Sequence, residues 1–515
     1  MTVLYCIFCA LYLFASVLAA LRYIHFLQLN SYRARTQLRW MKTHRERLAC
    51  LLPLIPAIAF APVGRLWSSV VSLLFTAFAC YTIFPRKAKK PLVITSRVKR
   101  LLVTYLLLMI LGGAAGFLLG IPFRMTLPLL FLLFSPFLVL LANLINQPVE
   151  KAARNWYIRD AKKKLAAAPD LLMIGVTGSY GKTSVKNYLG QLLSAAYDTL
   201  ITPESYNTPM GVVRTIRERL LPKHRVFVCE MGARHVGDIK ELCDLVHPKH
   251  GIITAVGNQH LETFGTKENI LRTKFELADS LPEDGLLFLN GDSGPIREYL
   301  PHVSRPYITY GLLPENSFYA SDVSASVTGT SFLLHTPDGQ EIPFRMKLIG
   351  PHNVMNVVGA LSVCLTLGIP SGDLIPAVRR LEAVPHRMQL LPGNEISYID
   401  DAFNSNPAGA KAALETLALF DACRILVTPG MVELGADMET SNREFGRQAA
   451  AVCDYVFLVG ERQAVPIREG LLAENFPEAR IRVTHTLQEA LSFVHAIHSG
   501  KKKVVLLEND LPDNY

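Results

Sequence analysis

In the stretch GVTGSYGKTS, which begins at Gly175, an apolar run gives way to Gly178-Ser179-Tyr180-Gly181-Lys182-Thr183. Glycines let backbone N–H groups close around phosphate oxygens, and a following helix adds its positive end. Lys182 would then reach the β- and γ-phosphates of a nucleotide, and the Thr183 hydroxyl would ligate Mg²⁺. Val176 stands where the full phosphate-loop pattern has its first glycine, so the motif is one glycine short. Further along, Glu230 closes the apolar run RVFVCE, and His260 follows the run GIITAVG. A carboxylate at the end of an apolar strand is costly to bury unpaired, and a metal ion is its natural partner.

These residues need a scaffold that brings them together. From Leu171 onward, short apolar runs (LLMIGVT, RVFVCE, GIITAVG) alternate with helical stretches such as Ser184–Ala196 and Gly237–Leu245. That alternation predicts an α/β fold, a parallel sheet covered by helices. Ligands in such sheets bind beyond the strand C-termini. A phosphate loop, a hard-metal carboxylate and an imidazole therefore fall at three successive strand ends.

The first 150 residues are of another kind. Half of the 515-residue chain is hydrophobic, and the excess lies before Gln147. Five apolar runs occur there: Thr2–Leu21, Leu48–Val63, Leu66–Phe84, Leu101–Ile121 and Leu127–Ile145. A spanning helix needs about 20 such residues. The second run is short and broken by Pro53, Pro56 and Pro62, as a re-entrant segment or half of a tight hairpin would be. Basic clusters at Arg33–Arg47, Arg86–Arg100 and Lys151–Lys164 follow runs one, three and five and share one side. The positive-inside tendency then puts the N-terminus outside and the catalytic part in the cytoplasm, as a multi-pass membrane protein. Charge bunched beside apolar runs points to membrane lipid, not nucleic acid. Nine scattered cysteines form no disulfide framework, and Cys6 and Cys9 lie inside an apolar run.

From about Leu171 to the C-terminus the chain resembles the Mur ligase family, the ATP-dependent amide-forming enzymes of peptidoglycan synthesis. TGSYGKTS is similar to the family phosphate loop, which implies nucleotide contacts at Gly178, Ser179, Gly181, Lys182, Thr183 and Ser184. SYNTPMG resembles its substrate loop, implying Asn207 and Thr208. EMGARHVGDI and GNQHLETFG resemble the metal-ligand segments, with Glu230 and His260. ILRTKFELA resembles the segment of a carbamylated lysine, giving Lys274 a second Mg²⁺. GPHNVMNVVGA resembles the segment near the nucleotide base, with His352, Asn353 and Asn356. PHRM implies the nucleotide-contacting linker arginine, Arg387. IDDAFNSNP implies nucleotide and substrate contacts at Asp401, Asn404 and Asn406, with Phe403 in place of the usual tyrosine. Two departures stand out: Gly430 replaces an expected aspartate in TPGMVELG, and the tail ENDLPDNY lacks the usual Lys-Gly-Ser.

The apolar runs predict about five membrane helices over residues 1–150, and the resemblance implies a P-loop ATP-binding domain over 151–385 and a Rossmann-like C-terminal domain over 386–515. It implies catalysis by Lys182, Glu230, His260 and Lys274, with Mg²⁺ on Thr183, Glu230, His260 and carbamylated Lys274. The substrates implied are ATP, a cell-wall precursor and an amino acid or dipeptide, with D-alanyl-D-alanine the nearest family match. The membrane runs replace the family's soluble precursor-gripping domain, so a lipid-linked acceptor stands equally open. An ATP-driven membrane machine is a rival reading, but charges are almost absent within the runs. A non-catalytic scaffold is another, opposed by the retention of Lys182, Thr183, Glu230 and His260.

Overall fold

The computed structural model describes residues 2–63, 66–84, 91–120, 123–257, 261–403, 405–432, 434–461 and 463–510. The chain packs as two units, Met1–Trp156 and Tyr157–Tyr515.

The first unit is helical: α1 (Thr2–Leu29), α2 (Ala34–Thr43), α3 (Leu54–Phe60), α4 (Leu66–Ile83), α5 (Ser96–Leu119), α6 (Phe123–Leu133) and the start of α7 (Ser135–Ala166). α1, α4, α5 and the segment Arg45–Val63 are each long and apolar enough to cross a membrane. The α6–α7 pair, bent by 74° at Phe134, makes a fifth if counted as one span. The proline-rich second run becomes α3 flanked by 3₁₀ turns, because Pro53, Pro56 and Pro62 cannot sustain one regular ladder. Thr95 caps α5 by accepting from Val98 N at 3.3 Å. Its apolar helices pack on one another around Tyr12, Tyr23, Leu54, Tyr105 and Leu129.

The second unit holds two sheets. The first is built from β1 (Leu172–Thr177), α8 (Lys182–Leu193), β2 (Thr199–Ile201), α9 (Pro209–Arg219), β3 (Val226–Glu230), α10 (Asp238–Val246), β4 (His250–Ile253), α11 (Leu261–Phe264), α12 (Lys267–Asp279), β5 (Leu287–Asn290), α13 (Gly294–Tyr299), β6 (Tyr307–Gly311), β7 (Phe318–Ser326), β8 (Gly329–His335), β9 (Glu341–Met346), α14 (Pro351–Thr366) and α15 (Ser371–Arg379). Its order is β2-β3-β1-β4-β5-β6-β7-β8-β9, parallel as far as β7 and antiparallel beyond. β1 alternates between two apolar cores, as a strand buried on both faces must. Ile174 and Val176 face Val185, Leu189 and Val357, while Met173 joins Ile216, Ile239 and Leu277. The last ten residues of α7 dock on α9: Ala161 is buried, and Arg217 Nε meets Asp160 Oδ2 at 2.6 Å.

The second sheet uses β10 (Gln389–Leu391), β11 (Ile396–Asp401), α16 (Pro407–Ala418), β12 (Cys423–Thr428), α17 (Met438–Val452), β13 (Tyr455–Val459), α18 (Ala464–Ala473), β14 (Ile481–Thr484), α19 (Leu487–Ala496) and β15 (Lys503–Glu508). Its order is β10-β11-β15-β12-β13-β14, with only β10 antiparallel. β11 and β15 run in register, Asp401 beside Glu508.

Candidate active site

β1 is hydrogen-bonded to β3 on one side and β4 on the other, with Val176 opposite Glu230. The chain leaves β1 at Thr177 and enters α8 at Lys182, so the glycine loop lies between the ends of those neighbours. Gly178 (φ +151°) cannot take a side chain, because a Cβ would overlap Thr254 Oγ1 and the Ala255 backbone. Gly181 (φ +78°) caps α8 in the left-handed region, where a side chain is strained. The N-cap, Gly181, has no side chain to cap α8, and the first N–H groups of a helix are the kind that bind an anion. Ser179 fixes the loop: its N–H donates to Ala255 O at 2.7 Å, and its hydroxyl pairs with Gly257. Thr254 Oγ1 donates to Tyr180 O.

Lys182 Nζ lies back on the loop, donating to Gly178 O at 2.7 Å and Ser179 O at 3.1 Å. Burial pushes its ammonium down to about 8, against the opposing pull of Glu230 and with a further push from Arg387. Thr183, the next residue, donates its hydroxyl to Glu230 Oε1 at 3.2 Å. Asn207 Nδ2 donates to the same oxygen at 3.0 Å, and the Glu230 N–H donates to Thr202 Oγ1 at 3.0 Å. Glu230 is 1% exposed, and its Oε2 lies 3.1 Å from the Nζ of fully buried Lys186. That ion pair is off the hydrogen-bonding direction, and Oε2 accepts no hydrogen bond from the described residues.

Lys274, on α12, is 3% exposed, and its Nζ stands 5.9 Å from the Phe264 ring centre. Burial, aided by Lys182 and opposed by Asp238 and Glu276, pushes the Lys274 amine down to about 7. A neutral amine is thereby accessible near neutrality, the form that adds to CO₂. Asn356, on α14, sets its Oδ1 against Gly181, at 2.8 Å from where a Cβ there would sit. Both ring nitrogens of His352 are buried without a hydrogen bond among the described residues, and burial pushes the imidazole down to about 4.

In the segment leading into the second sheet, the Arg387 guanidinium lies 4.1 Å over the ring of Phe403, just after β11. Burial lowers the basicity of Arg387, and Asp401 and Glu230 oppose that shift. Burial raises Asp401 to about 6, against Arg387 and a 3.1 Å bond from Met388 N. Beside it, fully buried Glu508 accepts from Ser405 Oγ at 2.6 Å and is pushed well above the carboxylate range by burial and by Asp401.

The structure thus gathers Gly178, Ser179, Gly181, Lys182, Thr183, Asn207, Glu230 and Asn356 around one loop; Lys274 and Arg387 interact with the Lys182 charge, and Asp401 acts on Arg387. Ser184 sits half-buried in the first turn of α8. Other residues singled out in the sequence are engaged in scaffolding. Asn353 accepts from Tyr188 OH at 2.9 Å and donates to Ile349 O. Thr208 caps α9, and Asn406 caps α16. His260 and Asn404 lie outside the described residues. Lys186, Thr202, Thr254 and Glu508 belong to this constellation and are not evident from the motifs. Lys186 carried one signal: it lies four residues after Lys182, in line on the same helix face.

A Mg²⁺ fits the donor set. Glu230 Oε1 and Thr183 Oγ1 are hard oxygens 3.2 Å apart, and Oε2 lacks a hydrogen-bond donor. No cluster of three or more His, Cys, Asp or Glu side chains occurs among the described residues. Mg²⁺ commonly needs fewer, taking one or two carboxylates with substrate phosphates and water.

The family model described as the Mur ligase middle domain matches residues 176–364, and that described as the Mur ligase glutamate ligase domain matches residues 386–508. UDP-N-acetylmuramoyl-tripeptide--D-alanyl-D-alanine ligase of Escherichia coli is 31% identical over 317 residues, 61% of this chain and 70% of the relative. The protein of that name from Bacillus subtilis is 32% identical, over 60% and 66% of the respective chains. A crystal structure of MurF from Acinetobacter baumannii superposes with a TM-score of 0.64 at 26% identity, covering 70% of this chain and 78% of that one.

Proposed function

The chain belongs to the Mur ligase family of ATP-dependent, ADP-forming ligases, and on that premise we propose that it joins D-alanyl-D-alanine, or a closely related amine, to the peptide of a peptidoglycan precursor. The observation that carries the reading is the meeting of Lys182, Thr183 and Glu230 at the end of β1. It is supported by the activity for which the relatives that share this part of the chain are named.

The chemistry follows from the charges. A precursor carboxylate oxygen attacks the γ-phosphorus of ATP, giving an acyl phosphate and ADP. The amine nitrogen then attacks the carbonyl carbon, phosphate leaves, and the nitrogen gives up a proton. Both steps gather negative charge at the γ-phosphate, so preorganised cations lower the barrier. Lys182 releases the Gly178 and Ser179 carbonyls and meets the β- and γ-phosphates. The α8 N–H groups and the glycine loop hold the phosphate oxygens. Mg²⁺ supplies further charge neutralisation when bound. Thr183 Oγ1 and Glu230 Oε1 would hold it, and His260 with carbamylated Lys274 would hold a second. Asn207 and Thr208, with Asn404 and Asn406, would contact the acceptor, as the family resemblance implies. Asn356 and Ser184 stand on the nucleotide side, and Asn353 braces the helix that carries Asn356. Arg387 and Asp401 bring the second sheet to the nucleotide and help exclude water, which would hydrolyse the acyl phosphate.

A second reading concerns the acceptor. The matched residues begin at 176, and before them lie four helices, or five, long and apolar enough to cross a membrane. Counted as five, they support a membrane-embedded enzyme with its N-terminus outside, its catalytic part in the cytoplasm and a lipid-linked acceptor. The full chain in detergent, supplied with ATP and D-alanyl-D-alanine, is to be offered UDP-linked and lipid-linked muramoyl peptide side by side. Mass spectrometry of the amide product identifies the acceptor. Product from neither acceptor overturns the proposed reaction.

A further inference from the structure

Lys186 has no part in the reaction described above, yet it is among the largest fully buried side chains of the molecule. Its Nζ donates to Glu204 O at 2.6 Å and sits 3.1 Å from Glu230 Oε2. Glu230 Oε1 meanwhile accepts from both Thr183 and Asn207. A carboxylate oxygen offers about two lone-pair sites, so Oε1 is already filled. The charge of Glu230 is therefore matched inside the protein before any ligand arrives. No group of three or more His, Cys, Asp or Glu side chains stands among the described residues to draw a divalent ion.

We propose that Lys186 is a positioning residue that holds Glu230 in a neutralised state, so that the carboxylate takes up a divalent cation only together with the nucleotide. The inference rests on the reading of Glu230 as a metal ligand. The physical reason is electrostatic. A metal at Oε1 must displace the Asn207 or Thr183 bond and stand close to the Lys186 ammonium. Both costs are met only when phosphate oxygens supply the remaining ligands and negative charge. The enzyme then loads metal–nucleotide as one unit and does not trap a free ion at an empty loop. Because Lys186 also grips Glu204 O and Asn207 shares Oε1, the loop carrying the acceptor-side residues is tied to the same carboxylate.

The test uses the full chain in detergent and Mn²⁺ as the probe, followed by electron paramagnetic resonance. Mn²⁺ is titrated alone and with ADP, for the wild type, Lys186→Gln, Lys186→Arg and Glu230→Gln. Gln keeps a donor toward Glu204 O and Glu230 but removes the charge. The proposal expects Lys186→Gln to bind Mn²⁺ alone at least about tenfold tighter than wild type, with Lys186→Arg unchanged. It expects Glu230→Gln to leave the weak binding of Mn²⁺ alone unaffected while weakening Mn·ADP about tenfold. Unchanged Mn²⁺ affinity in folded Lys186→Gln overturns it, as does loss of Mn²⁺-alone binding in Glu230→Gln. The second arm stands even where Lys186→Gln fails to fold. Mn·ADP binding indifferent to Glu230→Gln would instead overturn the metal-ligand role of Glu230 itself.

Discussion

Thr183 and Glu230, 47 residues apart in sequence, meet through a 3.2 Å hydrogen bond from the threonine hydroxyl to the carboxylate. That contact joins the start of α8 to the end of β3. It places a hydroxyl and a carboxylate where a cation between loop and phosphates would need them.

Thr183→Val keeps the shape of the side chain and removes the hydroxyl. Turnover is expected to fall by about 10²–10³, the usual cost of losing one preorganised group at a developing charge. The Mg²⁺ concentration for half-maximal rate is expected to rise in the same variant. Steady-state assays across a Mg²⁺ series measure both, and an unchanged Mg²⁺ requirement contradicts the assignment of Thr183.

Lys274 has its amine pushed down to about 7 by burial. The neutral form adds to CO₂, giving a carbamate anion and a proton. Below about pH 7 the amine is protonated and the adduct is expected to disappear. The full chain equilibrated with ¹³C-bicarbonate at pH 8 should show a carbamate carbon resonance, absent in Lys274→Arg. A signal that persists in Lys274→Arg, or none in the wild type, contradicts the carbamate.

Asp401 and Glu508 give a stability signature. Both carboxyls are raised in the folded protein, Asp401 to about 6. The native state therefore binds more protons than the unfolded chain, and stability is expected to fall as pH rises through about 6. The loss attributable to Asp401 is on the order of 1–3 kcal/mol. Glu508→Gln removes one carboxyl of the pair and lets its amide donate to Asp401. Thermal unfolding between pH 5 and 8 should show a flatter dependence in Glu508→Gln than in wild type. Parallel curves would show that the pair does not share its proton.

Much of this site was legible from local chemistry. The glycine loop, its lysine and threonine, and the carboxylate ending β3 each break an apolar pattern, so their types alone marked them. The β1, β3 and β4 runs were visible for the same reason. The antiparallel extension β7–β9 was not, because its half-buried alternation lacks a continuous apolar run. Lys186 was hidden because it lies beyond the glycine-loop motif, and only the fold carries it inward to Glu230. Glu508 was hidden as well: its pairing with Asp401 depends on β15 lying beside β11, a register set by the whole sheet. Asn353, Thr208 and Asn406 carry side chains suited to ligands, yet the same groups cap helices or brace Tyr188.

The most direct measurement follows ADP and amide together. The full chain in detergent receives ATP, D-alanyl-D-alanine and either UDP-linked or lipid-linked muramoyl peptide, and both products are quantified by mass spectrometry. The account predicts one ADP per amide bond formed, no ADP release without the acid, and loss of nearly all product in Lys182→Ala. ADP formed at the same rate without acid or amine, or undiminished amide in Lys182→Ala, would contradict it.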